Sequence, residues 1–153
     1  MEESRCLSRL QKLCSKAEYC RTDIYRKALK DLEGDAEAAA RVVTALLEER
    51  YVDDARYAAA FAREKARLQG WGPVKIRFQL RGKGISDVDI TAALEEVDAA
   101  EAGGRLERLL SARARALEGD PQFRLKLIRY ALSRGYESPE VEAALDKILK
   151  EKH

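Results

Sequence analysis

Three cysteines, two adjacent aspartates and four closely spaced glycines are the residues of this 153-residue chain whose types and spacing could do chemistry. Cys6, Cys14 and Cys20 are odd in number, lack a C-x-x-C pair, and share the chain only with a terminal His153. A disulfide framework, a zinc site and a Cys–His dyad therefore have no support. Cys6 and Cys14 lie where a helix would bury them, which reads as reduced core packing; redox sensing at Cys20 is the lesser alternative. Asp53-Asp54 could hold a metal, but no second carboxylate cluster accompanies them, and a helix start attracts such residues anyway, so Asp53 is read as an N-cap. Gly70, Gly72, Gly82 and Gly84 look like a phosphate cradle, yet G-x-x-x-x-G-K-[ST], G-x-S-x-G and H-E-x-x-H are all missing. No catalytic residue, metal or cofactor is expected, and the chain reads as non-enzymatic.

Charge is more informative. The formal net charge is only +2, but it is distributed in blocks. Residues 56–85 carry eight bases (Arg56, Arg63, Lys65, Arg67, Lys75, Arg77, Arg81, Lys83) against Glu64 alone, and residues 86–101 carry six acids and no base. Residues 105–134 hold eight bases against three acids, whereas 31–55 hold eight acids against two bases. Clustered Arg and Lys on helices read as a footprint for polyanions or an acidic protein surface. The acidic blocks would oppose phosphate along half the length, which argues against a plain DNA coat. Solvated helix faces are the bland alternative.

The elements that must position these charges are helices. Ala, Leu, Glu, Lys and Arg dominate, prolines number three and glycines nine, and apolar residues recur every three or four positions. No stretch approaches the ~18 apolar residues of a membrane span. The start, MEESRCLSRL, has no secretory h-region, so a cytoplasmic location is expected. Pro73–Lys83 is the most legible helix. Gly72 fits its N-cap and Pro73 its first position; Trp71 and Ile76 take the places of a hydrophobic staple. Gly84 fits a left-handed C′ that would bring Ile85 against Leu80. The next helix starts at Ser86 or Asp87, where Ser86 with Asp89 resembles a capping box, and is striped by Ile90, Ala93, Leu94 and Val97.

The same grammar returns as Arg134-Gly135-Tyr136, then Ser138-Pro139, with the stripe Val141, Ala144, Leu145 and Ile148. A fainter copy, Tyr25, Ala28, Leu29 and Leu32 before Gly34, leads into Ala39, Val42, Val43 and Leu46, but Gly34 is followed by Asp35 and no apolar residue. A further helix precedes each pair, striped by Leu7, Leu10 and Cys14, by Tyr57, Phe61 and Leu68, and by Leu106, Leu109, Leu110 and Leu117. The expected fold is all-α, with three tandem three-helix repeats (1–52, 53–98 and 99–153) stacked in an elongated, curved array and a bend near Ala99–Gly104. One compact nine-helix bundle is the alternative. On a helical wheel Ile76 and Leu80 oppose Val74 and Phe78, as in a helix sandwiched between neighbours, so Phe78 is expected to pack at a repeat junction.

The stretch YVDDARYAAAFAREKARLQGWGPVKIRFQLRGKGI closely resembles the signature of the RecX family of bacterial regulators. Asp53, Asp54, Arg56, Tyr57, Ala58, Phe61, Arg63, Gly70, Trp71, Gly72, Pro73, Ile76, Leu80, Lys83, Gly84 and Ile85 carry the match. RLKLIRYALSRGYESPEVEAAL resembles that family's C-terminal repeat, and the first unit matches loosely. The resemblance implies three tandem three-helix repeats. It also implies a partner, the RecA recombinase filament on single-stranded DNA, whose groove the protein would enter to restrain ATP hydrolysis, strand exchange and co-protease action.

On this reading Asp53, Trp71, Gly72, Pro73, Ile76, Leu80, Gly84 and Ile85 hold helices in place. Binding is expected at Arg63, Lys65, Arg67, Lys75, Arg77 and Arg81, with Arg124, Lys126 and Arg129 second. Direct contact with single- or double-stranded DNA is a further expectation, and an autonomous helical-repeat DNA binder is the alternative function. The protein is expected to act as a monomer, away from membranes.

Overall fold

The computed structural model describes residues 1–101 and 104–151, so the expected bend over Ala99–Gly104 lies partly outside the described residues, as does His153. The described residues are helical throughout, with no strand. The helices are α1 (Glu3–Lys16), α2 (Arg21–Asp31), α3 (Ala36–Glu48), α4 (Asp54–Gln69), α5 (Pro73–Gly82), α6 (Asp87–Glu101), α7 (Arg105–Ala116), α8 (Phe123–Ser133) and α9 (Ser138–Glu151). Among the described residues no helix is long and apolar enough to cross a membrane.

Two compact units pack the chain. The first comprises residues 1–61 and 80–93, the second residues 62–79 and 94–153, so α4, α5 and α6 each contribute to both. In the first unit Cys6, Leu10 and Cys14 of α1, Ile24 and Ala28 of α2, and Ala39, Val42, Val43 and Leu46 of α3 form one buried cluster. In the second, Leu106, Leu110 and Ala114 of α7 close on Leu127 and Ala131 of α8 and on Val141, Ala144, Leu145 and Ile148 of α9.

The helix ends explain why these segments stop where they do. At the end of α5, Gly84 has φ +77°. Its N–H donates to the Arg81 carbonyl at 2.9 Å, and the Ile85 N–H donates to the Leu80 carbonyl at 3.1 Å. This is the Schellman pairing, and both Leu80 and Ile85 are buried. Gly135 does the same for α8 at φ +95°, with Tyr136 donating back to Ala131.

In α2 the left-handed position falls on Glu33 at φ +56°, with Gly34 donating to Leu29. A non-glycine residue there accounts for the faintness of the first copy. Glu33, Gly84 and Gly135 are spaced 51 residues apart, and the buried stripes of α3, α6 and α9 keep the same spacing. The linkers ahead of α2, α5 and α8 do not: they run 17–20, 70–72 and 117–122.

Three local expectations need correction. The buried stripe of α4 is Ala58, Ala62 and Ala66, not Tyr57, Phe61 and Leu68; Leu68 is exposed. Volume misleads here, because an alanine stripe buries little area yet lets a helix approach its neighbours closely. Ser138 is the first residue of α9, and it is the carbonyl of Glu137 that accepts from the Val141 N–H; Glu137 therefore holds the place of Ser86. Phe78 is 73% exposed and Val74 45%, so the second apolar face of α5 is not packed.

Candidate functional site

Gly72, Gly84 and Asp54 sit at joints between helices, and Asp53 caps its own helix. In the second unit the last turn of α8 meets the first turn of α5: the Gly72 N–H donates to the Arg134 carbonyl at 2.6 Å and the Val74 N–H to the Gly135 carbonyl at 2.9 Å. Donors that a helix start leaves unsatisfied thus meet acceptors just past a helix end, bringing partial charges of opposite sign together. The approach is too close for side chains. A β-carbon on Gly72 would lie 2.5 Å from the Gly135 oxygen, and one on Gly135 would lie 2.4 Å from the Lys75 β-carbon.

In the first unit the equivalent joint brings Gly84 against Thr22, and Lys83 reaches back to Asp23 at 2.7 Å. Asp53 accepts from the Arg56 N–H at 3.0 Å and caps α4, as expected. Asp54 accepts from the Arg21 N–H at 2.8 Å and so caps α2 from a different element. Sequence alone could not pair residues 33 apart in this way.

The expected binding cations divide into three groups. Arg63 lies 3.9 Å from Glu96, Arg81 pairs with Asp87 at 3.0 Å, Lys126 pairs with Asp120 at 2.6 Å, and Arg124 pairs with Glu142 at 2.7 Å and Asp146 at 3.5 Å. Lys65 and Lys75 place their ammonium groups 5.1 and 4.6 Å from the centroid of the Trp71 ring, a cation–π arrangement that fixes both stems. Arg67, Arg77 and Arg129 take part in no ion pair among the described residues. These three are the cations most available to a partner.

Buried Ile76 and Leu80 fix the rotation of α5, and buried Leu127 and Ala131 that of α8. At about 100° per residue the opposite arc of α5 carries Arg77, Arg81, Val74 and Phe78. The 51-residue register places Leu125, Ile128, Arg129 and Leu132 on the same arc of α8, and Asp23, Arg26, Lys27 and Lys30 on that of α2. Leu125 and Leu132 are 43% and 42% exposed. Equivalent helices therefore present different chemistry: three cations and the ion-paired Asp23 on α2, a mixed arc on α5, a largely apolar one on α8. The exposed apolar members of α5 and α8 are what the sequence reading missed, because an apolar residue on a second helix face ordinarily signals a neighbour.

Nothing else in the described residues resembles a reaction centre. Among the described residues no group of three or more His, Cys, Asp or Glu side chains could hold a metal. All three thiols are free and buried, and burial raises the pKa of each, which keeps them protonated and unreactive. An open pocket of about 490 Å³ in the second unit is lined by Asp98, Arg105, Glu107, Tyr136, Glu140 and Lys147 among others. The Arg105 Nε donates to the Tyr136 hydroxyl at 2.9 Å, while burial, with Glu137 and Asp98, pushes the Glu140 carboxyl up. Acids outnumber bases in this lining, so it does not suit a polyanion.

Comparison with known proteins fits this geometry. The family described as RecX, second three-helix domain, matches residues 53–94. The chain is 29% identical over 122 residues to the regulatory protein RecX of Oceanobacillus iheyensis, across 78% of this chain and 45% of that protein. It is 28% identical over 113 residues to the regulatory protein RecX of Bacillus mycoides, across 72% of this chain and 42% of that protein. The chain thus spans less than half the length of these relatives.

A crystal structure of a regulatory protein RecX superposes with a TM-score of 0.79 at 27% identity, covering 94% of this chain and 71% of that one. RecX from Lactobacillus salivarius superposes with a TM-score of 0.77 at 17% identity, covering 95% and 96%, and shows the shared fold alone.

Proposed function

Because this chain belongs to the RecX family of regulatory proteins, we propose that it binds RecA and RecA–single-stranded-DNA filaments in the filament groove and lowers RecA's ATPase, strand-exchange and co-protease activities. The observation that carries the proposal is the set of unpaired guanidinium groups, Arg67, Arg77 and Arg129, in a chain whose described residues hold no reaction centre. These cations, with Lys65 and Lys75 beside Trp71, meet acidic protein surface and DNA backbone. The protein works as a cytoplasmic monomer, organised as three repeats over 1–52, 53–98 and 99–153. Binding across neighbouring subunits favours one filament state, and it slows the nucleotide cycle only by the difference in affinity between states.

The test is a titration of this protein against preformed RecA filaments while following DNA-stimulated ATP hydrolysis. Hydrolysis that falls to a plateau is expected; hydrolysis unchanged at saturation ends the proposal. Autonomous DNA binding is the second reading, favoured by the same unpaired arginines. It predicts affinity for naked DNA that drops steeply with salt, in proportion to the phosphates neutralised. A variant with Arg77 and Arg81 both changed to Glu that still binds filaments counts against both readings.

A further inference from the structure

Exposed apolar side chains stand on both of the helices that meet at the joint between α8 and α5. Leu125 and Leu132 stand on the outward arc of α8, and Val74 and Phe78 on that of α5, with Leu132 in the last turn of α8 and Val74 in the first turn of α5. Those two turns are tied to each other by the main-chain bonds of Gly72 and Val74. Phe78, at 73% exposure, is the most open of the four and the one aromatic among them. Arg77 and Arg129 lie on the same two arcs, and neither is neutralised within the described residues.

We propose that the row Leu125–Leu132–Val74–Phe78, bordered by Arg77 and Arg129, is an anchor for a protein surface bearing an apolar pocket with a carboxylate rim, and not a platform for nucleic-acid bases. Three of its four apolar members are aliphatic and have no ring face on which a base could stack. An exposed aromatic beside Arg, with Lys kept to the flank, is the composition of a protein-interface centre, and the aliphatic neighbours are the surround that keeps water from such an anchor. The two unpaired guanidinium groups set the sign of the complementary rim. The inference rests on the filament reading above and specifies that this face reads the protein subunits, leaving phosphate contact to the lysines beside Trp71.

The experiment compares wild type with Phe78→Ala and Phe78→Leu in two assays: inhibition of ATP hydrolysis by RecA filaments, and anisotropy of a labelled single-stranded oligonucleotide without RecA. Circular dichroism melts check that the exposed substitutions leave the fold intact. Phe78→Ala is expected to raise the half-inhibitory concentration about tenfold, as loss of an interface anchor does. Phe78→Leu keeps apolar bulk and stays within about threefold of wild type, and both variants bind the naked oligonucleotide as wild type does. Inhibition by Phe78→Ala equal to wild type overturns the inference. So does loss of oligonucleotide binding in both variants, which would make the ring a base-stacking group. If wild type itself fails to inhibit, the underlying reading falls, and the anchor falls with it.

Discussion

Gly72 and Gly135 are in main-chain contact: a β-carbon on the first would sit 2.5 Å from the carbonyl oxygen of the second. The joint between α8 and α5 depends on that approach. Gly135→Ala meets Lys75 at 2.4 Å and places a side chain at φ +95°, so we expect a loss of at least about 2 kcal/mol. Gly82, the last residue of α5, provides the contrast, because a β-carbon there would meet nothing within 4 Å: Gly82→Ala should gain about 0.5 kcal/mol. Urea midpoints at unchanged slope would report both.

Charge reversal should separate engaged from available arginines. Arg129→Glu is expected to weaken filament inhibition about tenfold, while Arg124→Glu, whose guanidinium already serves Glu142 and Asp146, changes it by less than about threefold. Equal losses in ATPase titrations of the two variants would remove the distinction drawn between them.

The buried thiols should be silent. Burial raises the pKa of Cys6, Cys14 and Cys20, so a disulfide-exchange reagent at neutral pH should label none of them in the native protein and all three after denaturation. Rapid labelling of native Cys20 would revive redox sensing at that position.

The Asp23–Lys83 pair makes stability depend on pH at the acid end. Burial acts to raise the Asp23 carboxyl, but the Lys83 ammonium at 2.7 Å, with Cys20 and Arg26, reverses it, and the folded pKa lies below the ordinary carboxylate value. A depressed folded pKa means that the stabilisation is complete above the unfolded value and is lost as pH falls through the folded one. Asp23→Asn should therefore narrow the stability difference between about pH 6 and pH 3, as read from thermal melts. A curve for the variant that parallels wild type would show the pair to be neutral.

The adjacent aspartates act on separate helices, so their losses should add. Asp53→Ala uncaps α4 and Asp54→Ala uncaps α2, each costing about 1 kcal/mol, and divalent cations should leave the melting temperature of wild type unchanged.

What can be read from the sequence follows the range of the interactions. Gly84 with Ile85, and Gly135 with Tyr136, announce helix ends because the whole motif lies within six residues. The same ending on α2 uses Glu33, a residue type that carries no such announcement. Asp53 is legible as a cap, whereas the partner of Asp54 lies on another helix. Composition identifies the cations, but which of them are neutralised depends on carboxylates from other helices, as with Arg124. Phe78 defeats a reading by periodicity, which shows that a face is apolar and is silent on whether anything covers it.

The joint between α8 and α5 is built from amide and carbonyl groups that every helix end possesses, whatever its side chains. Selection on what the outward arcs display is thereby uncoupled from selection on how neighbouring helices attach. Once the close-approach glycines are kept, the largely cationic arc of α2 and the largely apolar arc of α8 can drift independently, and specificity for a changing partner can evolve one helix at a time without reopening the scaffold.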